Sequence, residues 1–310
     1  MQSAEPEYTH QTVLLNETVE IASSGVGQVA IDCTLGLGGH SEALLEATNF
    51  DVIGLDRDAK AIELASKRLQ RFGRRFRAIH SNFVEIANLE IEGAVAAIIA
   101  DLGVSSMQLD DPSRGFSFRE DAPLDMRMDA SSGRTAAELL AELSESEIAD
   151  LIYQFGEERK SRRIARLIVE SRERGKPVQT TRELALLVER AVGRGTGRIH
   201  PATRTFQALR IAVNRELEIL DRFIRSAVSV LNKRGVLAMI TFHSLEDRIV
   251  KRAFQRLSGK CICPPRMPQC ICGAERKVEL ITRKPIIPTA EELNKNPRSR
   301  SAKLRACRKI

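Results

Sequence analysis

The chain has no tryptophan, two tyrosines and six cysteines among its 310 residues. No run of about eighteen apolar residues occurs, so a membrane-spanning helix is not expected. The first ten residues contain two glutamates and no apolar core, and they do not predict a secretory signal. These absences favour a cytoplasmic protein with room for one large domain or two modest ones.

Charge is unevenly distributed along the chain. Residues 1–156 contain 12 Lys and Arg against 26 Asp and Glu, residues 157–215 contain 15 against 6, and residues 251–310 contain 16 against 4. An acidic first half with two basic segments predicts a polyanionic partner that contacts only part of the molecule. Solvated helix faces would give the same pattern and stay an alternative.

A glycine-rich turn lies between residues 31 and 41. Val29–Asp32 is typical of a buried strand, and a helical pattern begins at His40. Between them, Gly38 and Gly39 let the backbone turn sharply and lie against a ligand. Asp56 ends the next apolar run, where an acid can bind both hydroxyls of a ribose. This order predicts a nucleotide-cofactor site, although a plain tight turn remains an alternative.

The charge beside this turn favours one cofactor over another. A dinucleotide would place its pyrophosphate on the helix N-terminus. Here Asp32 lies next to the turn, and no Lys or Arg occurs between it and Asp51. A carboxylate repels pyrophosphate and suits the sulfonium and amino groups of S-adenosylmethionine. We therefore expect a methyltransferase rather than a dehydrogenase.

Strands alternate with helices through the first hundred residues, which predicts an α/β fold with a parallel sheet. Further strands are expected at Phe76–Phe83 and Ala94–Asp101, so that Asp32, Asp56, Phe83 and Asp101 meet at one edge of the sheet.

Helical patterns without strands then predict an inserted helical domain. Capping boxes are expected at Thr135, Ser144 and Thr180, with helix ends at Gly156, Gly175 and Gly193. A long helix is expected over Ala202–Leu231, followed by a strand over Val236–Phe242. The predicted domains are residues 1–110 with 205–310, and an insertion at 111–204 that recognises RNA.

Four cysteines lie within twelve residues near the C-terminus: Cys261, Cys263, Cys270 and Cys272. In a cytoplasmic protein this favours metal or redox chemistry over structural disulfides. The spacing is Cys-x-Cys, and the commoner zinc spacing is Cys-x-x-Cys. The prediction is therefore no metal, with zinc left as an alternative. Residues 296–310 contain several Lys and Arg and no acid, and they resemble an RNA-facing tail.

Motifs spread through nearly the whole chain resemble those of the bacterial small-subunit (16S) ribosomal RNA cytosine-N4 methyltransferase family. They are Thr12–Leu15, Asp32–Ser41, Asp101–Ser106, Gln108–Asp110, Arg114–Phe118, Pro123–Asp129, Gly156–Arg159, His200–Gln207, His243–Arg248 and Asn296–Ser301. The resemblance implies a class I, Rossmann-like methyltransferase domain with an inserted all-helical domain. It also implies S-adenosyl-L-methionine as the methyl donor and a cytosine of the decoding region as the acceptor.

Carried over by position, the resemblance implies a set of cofactor contacts: Gly38, Gly39, His40, Asp56, Phe83, Asp101 and Gln108. Phe83 is expected against adenine, with a plain core phenylalanine as the alternative. Gln108 has no independent signal in the sequence, because a loop glutamine is usually solvated.

An exocyclic amine is a poor nucleophile because its lone pair is delocalised into the ring. A carboxylate after the fourth strand can accept its hydrogens, which makes Asp101 the candidate catalytic residue. His243 is a second candidate for positioning the amine, with a structural histidine as the alternative. The aromatic that usually stacks on the base is absent next to Asp101, and Phe116, Phe118 or Phe242 could replace it.

The expected partner is small-subunit ribosomal RNA or the assembled small subunit, with no membrane. The oligomeric state is left open, with a homodimer as one alternative. Two other functions also remain: an RNA-binding protein with a vestigial cofactor site, and a nicotinamide-dependent oxidoreductase.

Overall fold

The computed structural model describes residues 11–193, 200–264, 267, 269 and 271–310. Within these residues seven strands form one sheet: β1 Val29–Asp32, β2 Asp51–Asp56, β3 Phe76–His80, β4 Val95–Asp101, β5 Val236–Thr241, β6 Val278–Leu280 and β7 Lys303–Lys309. The described residues also form twelve α-helices: α1 Leu15–Ser23, α2 Gly39–Ala47, α3 Ala59–Leu69, α4 Ser106–Asp110, α5 Ala136–Glu142, α6 Glu145–Gly156, α7 Ser161–Glu173, α8 Thr181–Val192, α9 Thr203–Asn214, α10 Glu216–Val230, α11 Ser244–Leu257 and α12 Ala290–Lys295.

The strand order in the sheet is β3-β2-β1-β4-β5-β7-β6. The first five strands in this order run parallel, and β7 and β6 pair antiparallel. Residues of β1, β4 and β5 are almost entirely buried, as expected for parallel strands with both faces covered. The order reverses direction between β1 and β4, which is where ligands bind in such sheets. The predicted α/β, Rossmann-like fold is confirmed.

The chain divides into two compact units. The first contains residues 1–103 with 217–310, and the second contains residues 104–216. These limits differ from the predicted ones at 110 and 205. The second limit moves because the long helix expected over Ala202–Leu231 is interrupted. Arg215 has a φ of 51°, a left-handed conformation that ends α9 before α10 begins.

The second unit is helical and has its own core. Phe206 and Leu209 of α9 are buried in it together with Ile148 and Ile152 of α6. The three capping boxes predicted at Thr135, Ser144 and Thr180 are confirmed, since each hydroxyl accepts a hydrogen bond from the backbone N–H three residues later.

The helix end predicted at Gly156 is confirmed, but Gly156 is not the left-handed residue that follows α6. Glu157 adopts that conformation, with a φ of 51°. Gly156 is instead needed for close packing, because a Cβ there would lie 2.5 Å from the carbonyl oxygen of Arg204 in α9. A helix-terminal glycine has the same sequence signature in both cases.

Two further predictions are corrected. The third strand ends at His80, and Phe83 instead begins a 3₁₀ helix over Phe83–Asn88. The expected basic tail is largely the strand β7, whose Leu304 and Ala306 are fully buried. Among the described helices, none has the length and apolar character that crossing a bilayer requires.

Candidate active site

The glycine turn joins β1 to α2 at the carboxyl end of the sheet. Gly36 and Gly38 have φ values of 51° and 81°, which residues with a Cβ rarely adopt. The turn is closed by the Gly38 N–H, which donates to the Leu35 carbonyl at 2.7 Å. The Leu35 N–H donates to the Leu55 carbonyl at 2.9 Å and fixes the turn against β2. The backbone amides that follow β1 are therefore held in place.

Gly39 is required for a different reason. A Cβ at this position would lie 1.9 Å from Oγ1 of Thr12. The next residue, His40, is buried, and its Nε2 lies 3.1 Å from the carbonyl oxygen of Val13. Burial lowers the pKa of His40 to about 4, while the contact with Val13 opposes that shift. His40 is therefore neutral at physiological pH, and it fastens the N-terminal segment onto α2.

Asp32 ends β1 and is 1% exposed. Its Oδ2 accepts a hydrogen bond from the Ser41 hydroxyl at 2.7 Å, and its Oδ1 accepts from the Thr34 N–H at 3.2 Å. Burial raises the pKa of this carboxyl, and the bonds from Ser41 and Thr34 oppose the rise. These two hydrogen bonds tie the carboxyl group of Asp32 to Thr34 in the turn and to Ser41 in α2.

Asp56 ends β2 and faces the same turn. Its Oδ2 accepts from the Gly36 N–H at 2.8 Å, and its Oδ1 accepts from the Asp58 N–H at 2.9 Å. Burial raises the pKa of Asp56, the two backbone donors lower it, and the charges of Asp58 and Asp32 raise it. Each oxygen retains a second lone pair that could accept a hydroxyl of a ligand.

Asp101 ends β4, the middle strand of the seven-stranded sheet. Its backbone N–H donates to Oγ1 of Thr34 at 2.6 Å. Its Oδ1 is buried and has no hydrogen-bond partner among the described residues. Burial raises the pKa of the Asp101 carboxyl well above its usual range, and the charges of Asp32 and Glu246 add to that rise. A buried oxygen without a partner is costly, and such atoms mark sites where a ligand binds.

Asp32, Asp56 and Asp101 therefore converge, as the sequence predicts, because they end β1, β2 and β4, and β1 pairs parallel with both other strands. Within the described part of the chain, no Lys or Arg forms an ion pair with any of the three. A cationic ligand would relieve their mutual repulsion and reverse the rise in their pKa values. The three carboxyl groups therefore suit the positively charged S-adenosylmethionine better than a dinucleotide with its anionic pyrophosphate.

His243 follows β5 and caps α11. Its Nδ1 accepts from the Glu246 N–H at 3.4 Å, while the Glu246 carboxylate accepts from the backbone N–H groups of Phe242 and His243. In the neutral ring the proton is then on Nε2. Nε2 lies 3.0 Å from Oε1 of Glu246, but the direction does not make a hydrogen bond, so this buried nitrogen lacks an acceptor among the described residues.

Glu246 is the residue that the sequence interpretation missed. It is 2% exposed and its charge raises the pKa of Asp101, so it lies near the end of β4. The signal was present, because His243 and Glu246 have capping-box spacing. Histidine is not among the usual capping residues, and the pattern was therefore not recognised.

Phe83 is half-buried at the start of its 3₁₀ helix. Its ring packs edge-to-face on Phe223 of α10, with ring centroids 4.7 Å apart. The side chain thus belongs in part to the core of the first unit. The part that remains accessible is what could contact adenine.

Gln108 is not in a solvated loop. It is 6% exposed and lies in α4 of the second unit. Its Oε1 accepts from the Ser105 N–H at 3.1 Å, and its own N–H donates to Oγ of Ser105 at 3.2 Å. Ser-x-x-Gln spacing is a capping-box signature that could have been recognised from the sequence.

Comparisons with known proteins find relatives that match nearly the whole chain. The MraW methylase family matches residues 7–310 of the chain. The ribosomal RNA small subunit methyltransferase H of Carboxydothermus hydrogenoformans is 47% identical, over 98% of this chain and 99% of that protein. The protein of the same name from Trichlorobacter lovleyi is 49% identical over equal shares. Among solved structures, an rRNA methylase from Streptococcus thermophilus matches 95% of this chain and 93% of that one, at 11% identity and a TM-score of 0.41.

Proposed function

The chain belongs to the MraW methylase family, and from this premise we propose that it methylates small-subunit ribosomal RNA. The reaction is transfer of a methyl group from S-adenosylmethionine to the exocyclic N4 amine of a cytosine. The observation that carries the proposal is the buried, raised-pKa carboxyl of Asp101 beside two further acids at the switch point of the sheet. No specific observation favours the oxidoreductase or the vestigial site.

The residues at the strand ends are assigned as the cofactor site. Asp56 would bind the ribose hydroxyls with the lone pairs that Gly36 and Asp58 do not occupy. The backbone of Gly38 and Gly39 would lie along the methionine portion, with His40 keeping that backbone in place. Phe83 would lie against adenine. Gln108 is proposed as a further contact on the basis of the family motif alone.

Bound in this site, S-adenosylmethionine would supply an electrophilic methyl group on a positively charged sulfur. Asp101 would accept a hydrogen bond from the N4 amine, which localises the nitrogen lone pair and makes it nucleophilic. The orphan Oδ1 of Asp101 suits that role, provided that the carboxyl is ionised. A cation in the site would favour the ionised form by lowering the pKa of Asp101.

His243 is proposed as a positioning group for the cytosine. Its Nε2–H lacks an acceptor among the described residues and could donate to a ring or carbonyl acceptor of the base. Glu246 would keep this tautomer, because its N–H donates to Nδ1.

The helical unit is proposed to contact RNA. Its exposed basic residues include Arg159, Arg162 and Arg163 on and just before α7. Small-subunit ribosomal RNA, either free or in the assembled small subunit, is proposed as the substrate, and the cytoplasm as the place where the enzyme meets it. A homodimer is a separate proposal for the active form.

The test is incubation of the protein with labelled S-adenosylmethionine and small subunits that lack the modification, followed by nucleoside analysis. We expect the label in N4-methylcytidine. Label on C5 of cytosine, or no label in RNA, would contradict the assignment. Naked small-subunit RNA tested in parallel distinguishes the two substrates.

A further inference from the structure

The segment between α11 and β6 contains a group of cysteine side chains that the methyl-transfer site does not use. We define the cysteine loop as residues 259–275. Both of its ends are held by backbone hydrogen bonds: the Glu275 N–H donates to the Arg256 carbonyl at 3.1 Å, and the Lys277 N–H donates to the Leu257 carbonyl at 2.7 Å. The loop is therefore closed at its base like a hairpin.

Inside this closed base, the described residues of the loop form no hydrophobic core. None of the described residues from 259 to 277 is buried, and Ile271 is 74% exposed. A closed loop of this length needs another source of order, because its apolar side chains do not provide it. Small structures without a core obtain that order from a disulfide or from a metal ion.

Three thiol groups converge within the loop. The Sγ atoms of Cys261, Cys263 and Cys272 all lie within 4.8 Å of one another. Those of Cys261 and Cys272 are 3.8 Å apart, which is far longer than the roughly 2 Å of a disulfide bond. A tetrahedral zinc site with Zn–S bonds of about 2.3 Å places its sulfurs about 3.8 Å apart. The Cys261–Cys272 distance is thus that of two ligands around one ion, and Sγ of Cys263 lies close enough to join them.

The surroundings of the sulfurs also suit thiolate ligands. The Ile262 N–H donates to Sγ of Cys272 at 3.5 Å, and such backbone donors stabilise metal-bound thiolates. Basic residues flank the ligands: Lys260 is next to Cys261, and Arg276 and Lys277 lie at the base of the loop. Nearby positive charge stabilises an anionic metal–thiolate group.

We propose that Cys261, Cys263 and Cys272 bind one Zn²⁺ ion that holds the cysteine loop in its folded form. This replaces the prediction of no metal, which was based on Cys-x-Cys spacing. The loop brings the two halves of the motif together, so sequence spacing within each half does not decide the geometry. Cys270, the fourth cysteine of the motif, lies outside the described residues, and the proposal rests on the other three.

The test measures metal directly in the full-length protein, expressed with added zinc and purified under reducing conditions without a metal-affinity tag. Mass spectrometry of the metal content should give about one zinc per chain. Cys263→Ser and Cys272→Ser should each lower that value at least about tenfold, since each removes a ligand. Cys307→Ala is the matched control, because Cys307 is buried in β7, and it should retain the zinc.

Two further measurements distinguish a specific zinc site from adventitious zinc binding. Replacement of zinc by Co²⁺ should give the intense near-ultraviolet and visible bands of a tetrahedral thiolate site. Removal of the metal should speed tryptic cleavage at Lys260 in the loop while leaving the melting temperature of the rest of the chain nearly unchanged. Absence of zinc from the wild-type protein, or zinc retained in the Cys263→Ser/Cys272→Ser double variant, would overturn the proposal.

Discussion

Single side chains at the strand ends combine a structural and a chemical role. Asp32 and Asp56 both accept backbone hydrogen bonds that shape the glycine turn, and both have raised pKa values through burial. Asp101 differs because one of its oxygens has no partner within the described residues. This difference supports the proposal that the first two acids shape the turn and that the third takes part in the chemistry.

Asp101→Asn tests that assignment at a single atom. We expect turnover to fall about 100-fold or more, since the amide is uncharged and its oxygen is a weaker hydrogen-bond acceptor than a carboxylate. The raised pKa of Asp101 contributes stability that is present below pH 3.8 and lost as the pH rises through the folded-state pKa. At pH 8 the variant should therefore melt no lower than the wild type, although it is nearly inactive.

The control for this experiment is Asp51→Asn, an exposed acid at the opposite end of β2. Binding of S-adenosylmethionine is measured by calorimetry for both variants, so that loss of affinity is separated from loss of rate. An Asp101→Asn variant that keeps most of its turnover would rule out the proposed need for an ionised carboxylate at this position.

His40 gives a prediction for pH. Its pKa is about 4 in the folded protein, against the 6.5 of a histidine side chain in water, so the folded state takes up its proton only at lower pH. The stability that this group contributes is present above pH 6.5 and is lost as the pH falls toward 4. His40→Gln should flatten the loss of unfolding free energy over that range, by up to about 1.4 kcal/mol per pH unit.

Urea unfolding at several pH values between 4.5 and 7 measures this slope, roughly across the interval between the two pKa values. His80→Gln is the matched control, because His80 is exposed and also contacts a backbone carbonyl, that of Arg57 at 2.9 Å. If both variants change the slope equally, the burial of His40 is not the cause.

At the scale of elements, several strands and helix starts could be predicted from the sequence. β1 and β2 match their predicted limits because their apolar runs end in acids. β7 was missed, since its buried Arg305 resembles a solvent-exposed residue. Arg305 is 7% exposed and its Nε lies 2.6 Å from Oδ1 of Asp247, a partner 58 residues away that no local pattern indicates.

The glycine turn allows a double-variant experiment on two elements. Gly39→Ala should destabilise the protein by about 1–3 kcal/mol, because the new Cβ overlaps Oγ1 of Thr12. Thr12→Ala removes that oxygen, so the double variant should recover most of the loss in melting temperature. Recovery in the double variant confirms that packing rather than a lost ligand contact causes the effect. Equal destabilisation with and without Thr12→Ala would contradict the steric explanation.

At the scale of the whole molecule, the sequence predicts that one unit is inserted into the other. Its pattern changes from alternating strands and helices to helices alone, and a strand then follows again. The limits of the two units could not be predicted, since the break at Arg215 lacks a glycine or proline. The role of charge also belongs to this scale. The basic segment 157–215 is proposed to bind the RNA backbone, and the acidic segment 1–156 to bind the cationic donor.

This separation of charge predicts how binding depends on salt. Replacing Arg159, Arg162 and Arg163 together by Gln should weaken RNA binding and reduce the slope of log affinity against log salt by roughly 2–3. Filter binding with small-subunit RNA measures this slope. In the control variant, Lys60, Lys67 and Arg74 are replaced by Gln, which removes the same charge from exposed positions in the first unit. Equal effects of the two triples would mean that RNA binding depends on net charge alone.

The most direct measurement of the central claim is a mass-spectrometric map of modified nucleosides in small-subunit ribosomal RNA from cells that lack this gene. The account predicts that one cytosine loses its N4-methyl group. It also predicts that the wild-type gene restores the modification and the Asp101→Asn variant does not. An unchanged map, or loss of a methyl group from carbon rather than nitrogen, would contradict it.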